Sequence, residues 1–358
     1  MRSYFDKNNE DGFYKDGVKY LALASGFIII ILGIAVVGVS SNAYGSIGDL
    51  GSFLSGSIGV IVALLVGVFT YLAFYAQFEA NKKIQDQFEH QKVESQFYTM
   101  LNLHLKNIDG FEIQEYLVSN QKSLVDQSTV HSRRVFLPMI TELHEIIKIV
   151  YMAYGKLMTD QLDNLNKLAY QIFFFGVKSS HVKPLSNTDT TFKDLINALI
   201  NYQNQFRKSR SKNRVYKCPF TNNTLEIRLR YIPFAGHESR LAHYYRHLYQ
   251  TVKQVVEAEK KDILDYKDSR RLLATLRAQL SNQEQLLLYY NYRSTFGDNW
   301  DKLGSRGHQF FSKYRMIHNI PLDDNRLIDA FEHPRDHFKD FIKNNTTSDD
   351  PLFEWGDY

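Results

Sequence analysis

Apolar residues are concentrated in two uncharged runs near the start of the chain, 20–40 and 51–78. An α-helix rises about 1.5 Å per residue, so about 20 apolar residues cross the ~30 Å hydrocarbon core of a bilayer. Both runs reach that length. The pattern therefore predicts two transmembrane helices that form a hairpin around a short extracytoplasmic loop at 41–50.

Basic residues flank this hairpin only on its outer ends, and such flanks remain in the cytoplasm. They are Arg2, Lys7, Lys15, Lys19, Lys82, Lys83 and Lys92. The predicted orientation places 1–19, and all residues after the second run, in the cytoplasm. A signal peptide cleaved after Ala43 is the alternative interpretation, although the second run would then remain in the mature chain.

The second run has small residues at every fourth position. They are Ser55, Gly59, Ala63 and Gly67. Such a stripe lets another helix backbone approach closely. The partner is either the first run, which also contains small residues, or the same stripe in other copies of the protein. Neither run contains an ionisable residue, so the sequence does not indicate a proton relay or a transport site.

Beyond the second run, apolar positions recur at steps of three and four residues, which is the period of an amphipathic helix. The period predicts a helical stalk over 79–108 and an α-helical cytoplasmic domain over 109–343. It is strongest from Phe136 to Leu157. Residues 344–358 are acidic, and we expect a loose tail there. The predicted fold class is mainly α.

Two local patterns refine this fold. Apolar and polar residues alternate in "VYKCPFTNNTLEIRLRYIPF", residues 215–234, which predicts a small β-hairpin. Ser281 is followed three residues later by Glu284, which is the pattern of a capping box at a helix start. Helical spacing then resumes in "HQFFSKYRMIHNI", residues 308–320.

The charge balance limits the classes of partner. Lys and Arg number 43 against 39 Asp and Glu in 358 residues, and a net charge of +4 does not predict a nucleic-acid-binding protein. The basic residues of one loop could still contact lipid head groups or nucleic-acid phosphates, and a solvated turn is the alternative. They are Arg207, Lys208, Arg210, Lys212 and Arg214. The single cysteine, Cys218, excludes an internal disulfide framework.

The stretch "GHESRLAHYYRHLYQ", residues 236–250, carries the candidate chemistry. Arg240 and His247 are seven positions apart and therefore share one helix face, with His243 between them. Such a cluster could polarise a phosphate and transfer protons, and the Arg-x6-His spacing resembles the motif of HEPN ribonucleases, which need no metal. Alternatively, His243 and His247 bind a metal with His237 or Glu238, or the polar side chains satisfy one another in the core. No HExxH pattern supplies a base, so no metal or cofactor is predicted.

Two longer motifs are similar to those of a known family. "GHESRLAHYYRHLYQTVK" and "LRAQLSNQEQLLLYYN", together with two N-terminal spans, closely resemble the phage abortive infection proteins of the AbiC type. Some of these bacterial proteins look like the two-transmembrane effectors encoded beside retron reverse transcriptases. The motif residues are His237, Arg240, His243, Tyr244, Arg246, Leu248, Tyr249, Arg277, Gln279, Leu280, Ser281, Glu284 and Asn291.

The resemblance implies a role in defence against bacteriophage at the bacterial inner membrane, by killing or arresting the infected cell. We expect the cytoplasmic domain to sense a trigger, and copies of the protein then to rearrange and perturb the membrane. In this hypothesis a set of polar residues grips the trigger or holds the domain together: His237, Arg240, His243, Arg246, His247, Arg277, Glu284 and Asn291.

The predicted partners are membrane lipid, further copies of the chain, and a defence component such as a reverse transcriptase with its nucleic-acid product. Two other functions remain open. One is a membrane-tethered ribonuclease with Arg240 and His247 as catalytic residues. The other is a nucleic-acid-binding partner in a defence complex, which would bind through the basic loop at 207–214.

Overall fold

The computed structural model describes most of the chain, and the chain divides into two compact units, Met1–Glu89 and His90–Tyr358. The described residues are 19, 22–23, 25–41, 46–118, 125–155, 162–209, 215–221, 223–227, 229–302, 308–322 and 331–356. Most of the predicted segment 1–19 lies outside them, as do Arg210, Lys212 and Arg214 of the basic loop.

The first unit contains one short apolar helix and the apolar part of a much longer one, which continues into the second unit. Helix α1, Ser25–Ser40, is the shorter one, and α2 begins at Ile47 and ends at Asp109. By length and composition, α2 can cross a membrane, and its most apolar stretch has no buried residue. One long apolar helix therefore covers the second predicted span, whereas α1 is shorter than the ~20 residues that a span requires.

Helix α2 continues through the predicted stalk without a break. No glycine or proline occurs between Gly67 and Gly110, so nothing in the sequence interrupts the helix before its end. The small-residue stripe Ser55, Gly59, Ala63 and Gly67 is exposed. A Cβ added at Gly59 or Gly67 would meet no atom within 4 Å, so α1 does not cover this stripe.

The second unit is mainly helical, with two small hairpins. Its helices are α3 Phe136–Tyr154, α4 Leu162–Phe175, α5 Thr190–Ser209, α6 Glu238–Lys260, α7 Tyr266–Ala278, α8 Asn282–Arg293, α9 Pro334–His337 and α10 Lys339–Asn345. Its strands are β1 Glu112–Val118, β2 Val125–His131, β3 Val215–Lys217 and β4 Thr224–Glu226. Each hairpin is antiparallel: β1 pairs with β2, and β3 with β4.

Helix α3 lies at the centre of the core. Its apolar face, including Leu143, Ile146 and Ile149, is fully buried, and it packs on α4, α5 and α8. The strong apolar period of this segment therefore predicted the right helix and the right buried face. The capping box at the start of α8 is also confirmed, because the side chains of Ser281 and Glu284 each accept from the other's backbone N–H.

The hairpin predictions were partly right. Strand pairing between β3 and β4 is confirmed but ends at Glu226, earlier than the alternation suggested. The alternating residues beyond it are buried against the helical core: Ile227, Leu229 and Tyr231. The β1–β2 hairpin was not predicted, because its polar strands carry only a weak period-two signal.

Two expectations near the C-terminus were wrong. Residues 308–320 form turns and not a helix, because Arg315 adopts a left-handed backbone conformation (φ 60°). The Arg315 side chain donates to the carbonyl oxygens of Ser312, Asn345 and Asp350. Residues 346–356 are not a loose tail. Leu352 and Phe353 are fully buried, and the Asp350 carboxylate pairs with Arg270 at 2.7 Å and with Arg315 at 3.0 Å.

Two glycines fix the start of α6. Gly176 and Gly236 both have left-handed φ, 86° and 87°. A Cβ at Gly236 would lie 2.6 Å from the carbonyl carbon of Phe175, closer than any side chain tolerates. The two backbones are joined by hydrogen bonds from His237 N to Phe174 O and from Val177 N to Phe234 O, at 2.8 and 3.0 Å.

Gly236→Ala should therefore destabilise the domain strongly, because the new methyl group meets backbone atoms that cannot move independently. Gly356→Ala is the matched control, since Gly356 also has positive φ (93°) but open space around it. Gly356→Ala should lower the free energy of unfolding by about 1–2 kcal/mol, from the left-handed conformation alone. Gly236→Ala should lower it by at least twice that amount. Denaturant unfolding of the full chain in detergent measures both values, and equal losses would contradict the close approach.

Candidate functional site

A buried carboxylate holds the residues that precede α6. Glu142 of α3 is fully buried and accepts hydrogen bonds from the Tyr231 hydroxyl at 2.6 Å and from the backbone N–H of Phe234. His237 Nε2 lies 2.6 Å from the same carboxylate. His237 occupies the N-cap position of α6 without capping the helix, because its ring points to Glu142. Its first role is to anchor α6 in the core.

The structure separates the two residues of the Arg-x6-His pattern. Arg240 is half-buried, and its Nε donates to the carbonyl oxygen of Glu112 on β1 at 3.1 Å. His247 lies two turns farther along α6, where its ring stacks on His104 of α2 with centroids 5.8 Å apart. The two side chains thus have different neighbours in this single chain.

A histidine cluster surrounds His247. His104 is fully buried between His247 and Tyr244, and neither of its ring nitrogens has a hydrogen-bond partner among the described atoms. Burial, with the nearby charges of His247 and Arg133, lowers the pKa of His104 to about 3. Burial, with His243, also lowers the pKa of His247. Both imidazoles are therefore neutral at neutral pH.

A second buried carboxylate lies beside this cluster. Glu284 accepts from Ser281 in the capping box and from the Tyr244 hydroxyl at 3.1 Å, and Arg133 Nε lies 3.7 Å away. Burial raises the pKa of Glu284, although these bonds and the Arg133 charge oppose the rise. The arginine beside Glu284 is Arg133, which lies outside both motifs and which no sequence pattern singled out.

Other motif residues line an open pocket on the opposite side of α6. The pocket has a volume of about 300 Å³ between α4, α6 and the segment after α8. Its lining residues are Phe174, Ala242, Tyr245, Arg246, Tyr249, Gln250, Asn291, Phe296, Gly297, Asn299 and Trp300. Asn291 is held by donation from its Nδ2 to the Tyr170 hydroxyl at 2.9 Å. Tyr245 and Tyr249 of this lining belong to the first motif, whereas Phe174, Phe296 and Trp300 lie outside both motifs.

The remaining predicted site residues lie elsewhere. Arg277 donates to the carbonyl oxygen of Arg315, and burial together with the Arg270 and Arg315 charges lowers its pKa to about 10. His243 is exposed on α6, and Arg207 and Lys208 are exposed at the end of α5. In the described part of the chain, no three His, Cys, Asp or Glu side chains are grouped as metal ligands.

Residues 236–325 match the family described as "Putative phage abortive infection protein". This range contains α6, α7, α8 and most of the pocket lining. No curated protein and no solved structure matches the chain. The resemblance to abortive infection proteins is therefore confirmed over this range, and it supports a role in phage defence.

Acid should destabilise the domain partly through His104. Its pKa is lower in the folded chain than the ordinary 6.5, so the unfolded chain binds more protons between pH 6.5 and about 3, and stability falls as pH falls through this window. Between pH 7 and pH 5 the loss from His104 is about 2 kcal/mol. His104→Phe keeps a ring against Tyr244 and removes this loss.

The control is His131→Phe, which makes the same change at an exposed histidine and should leave the pH dependence intact. Urea unfolding of the full chain in detergent at pH 7 and at pH 5 gives the free energy of unfolding that each protein loses on acidification. If His104→Phe and the unmodified protein lost equal stability on acidification, His104 would not be a buried neutral imidazole.

Proposed function

We propose that this protein is a membrane-anchored effector of bacterial defence against bacteriophage. In this proposal the unit His90–Tyr358 senses infection, and the apolar helices then perturb the inner membrane so that the infected cell dies or stops growing. The observation that carries the proposal is the match of residues 236–325 to abortive infection proteins. The same chain contains α2, which is long and apolar enough to cross a membrane.

The positions of the motif residues favour sensing over catalysis. His237 and Glu284 are buried and bonded within the domain, so they maintain its structure. Arg240 and His247 contact different neighbours, Glu112 and His104. Arg246 and Asn291 instead line an open pocket. A domain with a hydrogen-bonded polar interior and an accessible pocket is suited to bind a ligand.

Helix α2 provides a connection between sensing and the membrane. His104, near the end of α2, stacks on His247 of α6. The same helix begins at Ile47 and contains the whole apolar run 51–78. A shift of α6 on ligand binding would therefore act directly on a continuous helix whose apolar part lies in the membrane in this proposal.

The exposed stripe Ser55, Gly59, Ala63 and Gly67 supports association of several copies. Small residues at this spacing allow close helix contacts in lipid, and in the described part of the chain a Cβ at Gly59 or Gly67 meets open space. We propose that the active state is an oligomer in the inner membrane with both termini in the cytoplasm. Association through this stripe would bring the apolar helices together and disturb the bilayer.

Replacing Gly59, Ala63 and Gly67 together by Leu should abolish the defence, because the added side chains keep the helices apart. Survival of phage, host viability and membrane potential are followed after infection of cells that produce the full chain. Ser57→Leu is the control, since it also adds a large apolar side chain within the same run but lies about 160° around the helix from Gly59. The triple variant must still be found in the membrane fraction, and undiminished defence by it would overturn the proposal.

His247→Phe should leave killing intact, because the ring still stacks on His104 while the imidazole is lost. Total RNA and membrane potential are recorded in the same infected cells. We expect depolarisation with intact RNA in both proteins. RNA cleavage that precedes depolarisation and disappears in His247→Phe would show that the protein is a ribonuclease.

A further inference from the structure

The pocket on α6 has the chemistry of a nucleotide site. Its walls are aromatic rings from three separate parts of the domain: Phe174 of α4, Tyr245 and Tyr249 of α6, and Phe296 and Trp300 after α8. An arginine and three side-chain amides also line it. The lining contains no Asp or Glu, so Arg246 gives it a net positive charge.

The aromatic walls are held in place by their neighbours. Trp300 is almost fully buried, stacks on Phe311 with centroids 5.4 Å apart, and meets Tyr249 edge-on at 5.4 Å. Phe296 lies 5.8 Å from Phe174, yet 40% of its surface is exposed. A buried, supported ring therefore lies near an exposed ring in one cavity, and the exposed ring is available to a ligand.

The polar groups are also arranged for an anionic ligand. Arg246 donates its Nε to the carbonyl oxygen of Ala242 at 3.1 Å, and this bond leaves its two terminal nitrogens for other acceptors. Gln250 and Asn299 are exposed, with side-chain amides that both donate and accept. Arginine is suited to phosphate, and amides are suited to the edges of nucleobases.

We propose that this pocket binds one nucleotide unit. The base stacks on Tyr249 and Phe296, the amides of Gln250 and Asn299 contact the base edge, and Arg246 contacts the phosphate. The cavity of about 300 Å³ is at the small end of ligand sites, which suits a single nucleotide better than a folded partner. The inference deepens the proposed function, because it names the class of ligand that the domain senses.

The nucleotide is either free or part of a single strand, and the same contacts serve both. The protein contains two tryptophans, Trp300 in the pocket and Trp355 far along the chain. In the Trp355→Phe variant, Trp300 is the only indole, and its fluorescence reports on the pocket. The full chain in detergent is titrated with AMP, GMP, CMP and UMP, and with 6-nucleotide single-stranded DNA and RNA.

We expect saturable quenching of Trp300 by at least one of these probes. Phe296→Ala and Arg246→Ala should each raise its Kd by about tenfold, since one removes a stacking ring and the other a phosphate contact. Both side chains are exposed, so neither change should disturb folding. The matched nucleoside, which lacks phosphate, should bind more weakly and lose its dependence on Arg246.

Arg134→Ala is the matched control, because Arg134 is exposed and is not part of the pocket lining. A mononucleotide that binds as tightly as the oligonucleotides indicates a free nucleotide, and a much tighter oligonucleotide indicates a strand. Absence of quenching by every probe, or quenching that Phe296→Ala and Arg246→Ala leave unchanged, would overturn the nucleotide site.

The fluorescence titration does not depend on cell killing, so the nucleotide site and the proposed defence function can fail separately. If Phe296→Ala loses both nucleotide binding and defence in infected cells, both proposals are supported. If it loses binding and retains full defence, the nucleotide site stands, and the sensing role of the pocket is overturned.

Discussion

The architecture of the second unit depends on the buried Glu142 carboxylate. A buried charge is costly unless hydrogen bonds satisfy it, and here Tyr231, Phe234 and His237 all converge on it. These bonds tie the segment before α6 to α3 at the centre of the core. The close backbone approach of Gly176 and Gly236 holds the same segment from its other side. The position of α6 is therefore fixed where the helix begins.

Because the start of α6 is fixed, one side of the helix faces the buried histidine cluster and another side faces the open pocket. One side carries Tyr244 and His247 into a cluster with His104, which is neutral and closely packed. Another side presents Arg246 and Tyr249 to the open pocket. The stretch 236–250 thus contributes both to the buried core and to the pocket lining. Its histidines mainly belong to the scaffold, and the accessible chemistry lies in the pocket.

Sequence reasoning succeeded where the signal is local. The period from Phe136 gave the buried face of α3, and the Ser281–Glu284 pattern gave the start of α8. It failed where structure depends on distant partners. Glu142 and His237 are 95 positions apart, and nothing around Glu142 distinguishes it from a surface carboxylate. The pocket combines rings from three segments, so no single stretch predicts it.

The contact between His104 of α2 and His247 of α6 is the route by which a movement of α6 could reach α2. Both stacked imidazoles are neutral, so a bound ligand would not act on this contact by changing its charge. It would act by moving α6. An aromatic contact tolerates sliding better than a buried ion pair, which loses several kcal/mol when its partners separate. A neutral contact at the end of α2 therefore suits the proposed mechanism, in which the helix shifts without unfolding the domain. The rigid start of α6 at Glu142 would confine such a shift to its later turns, where the pocket lies.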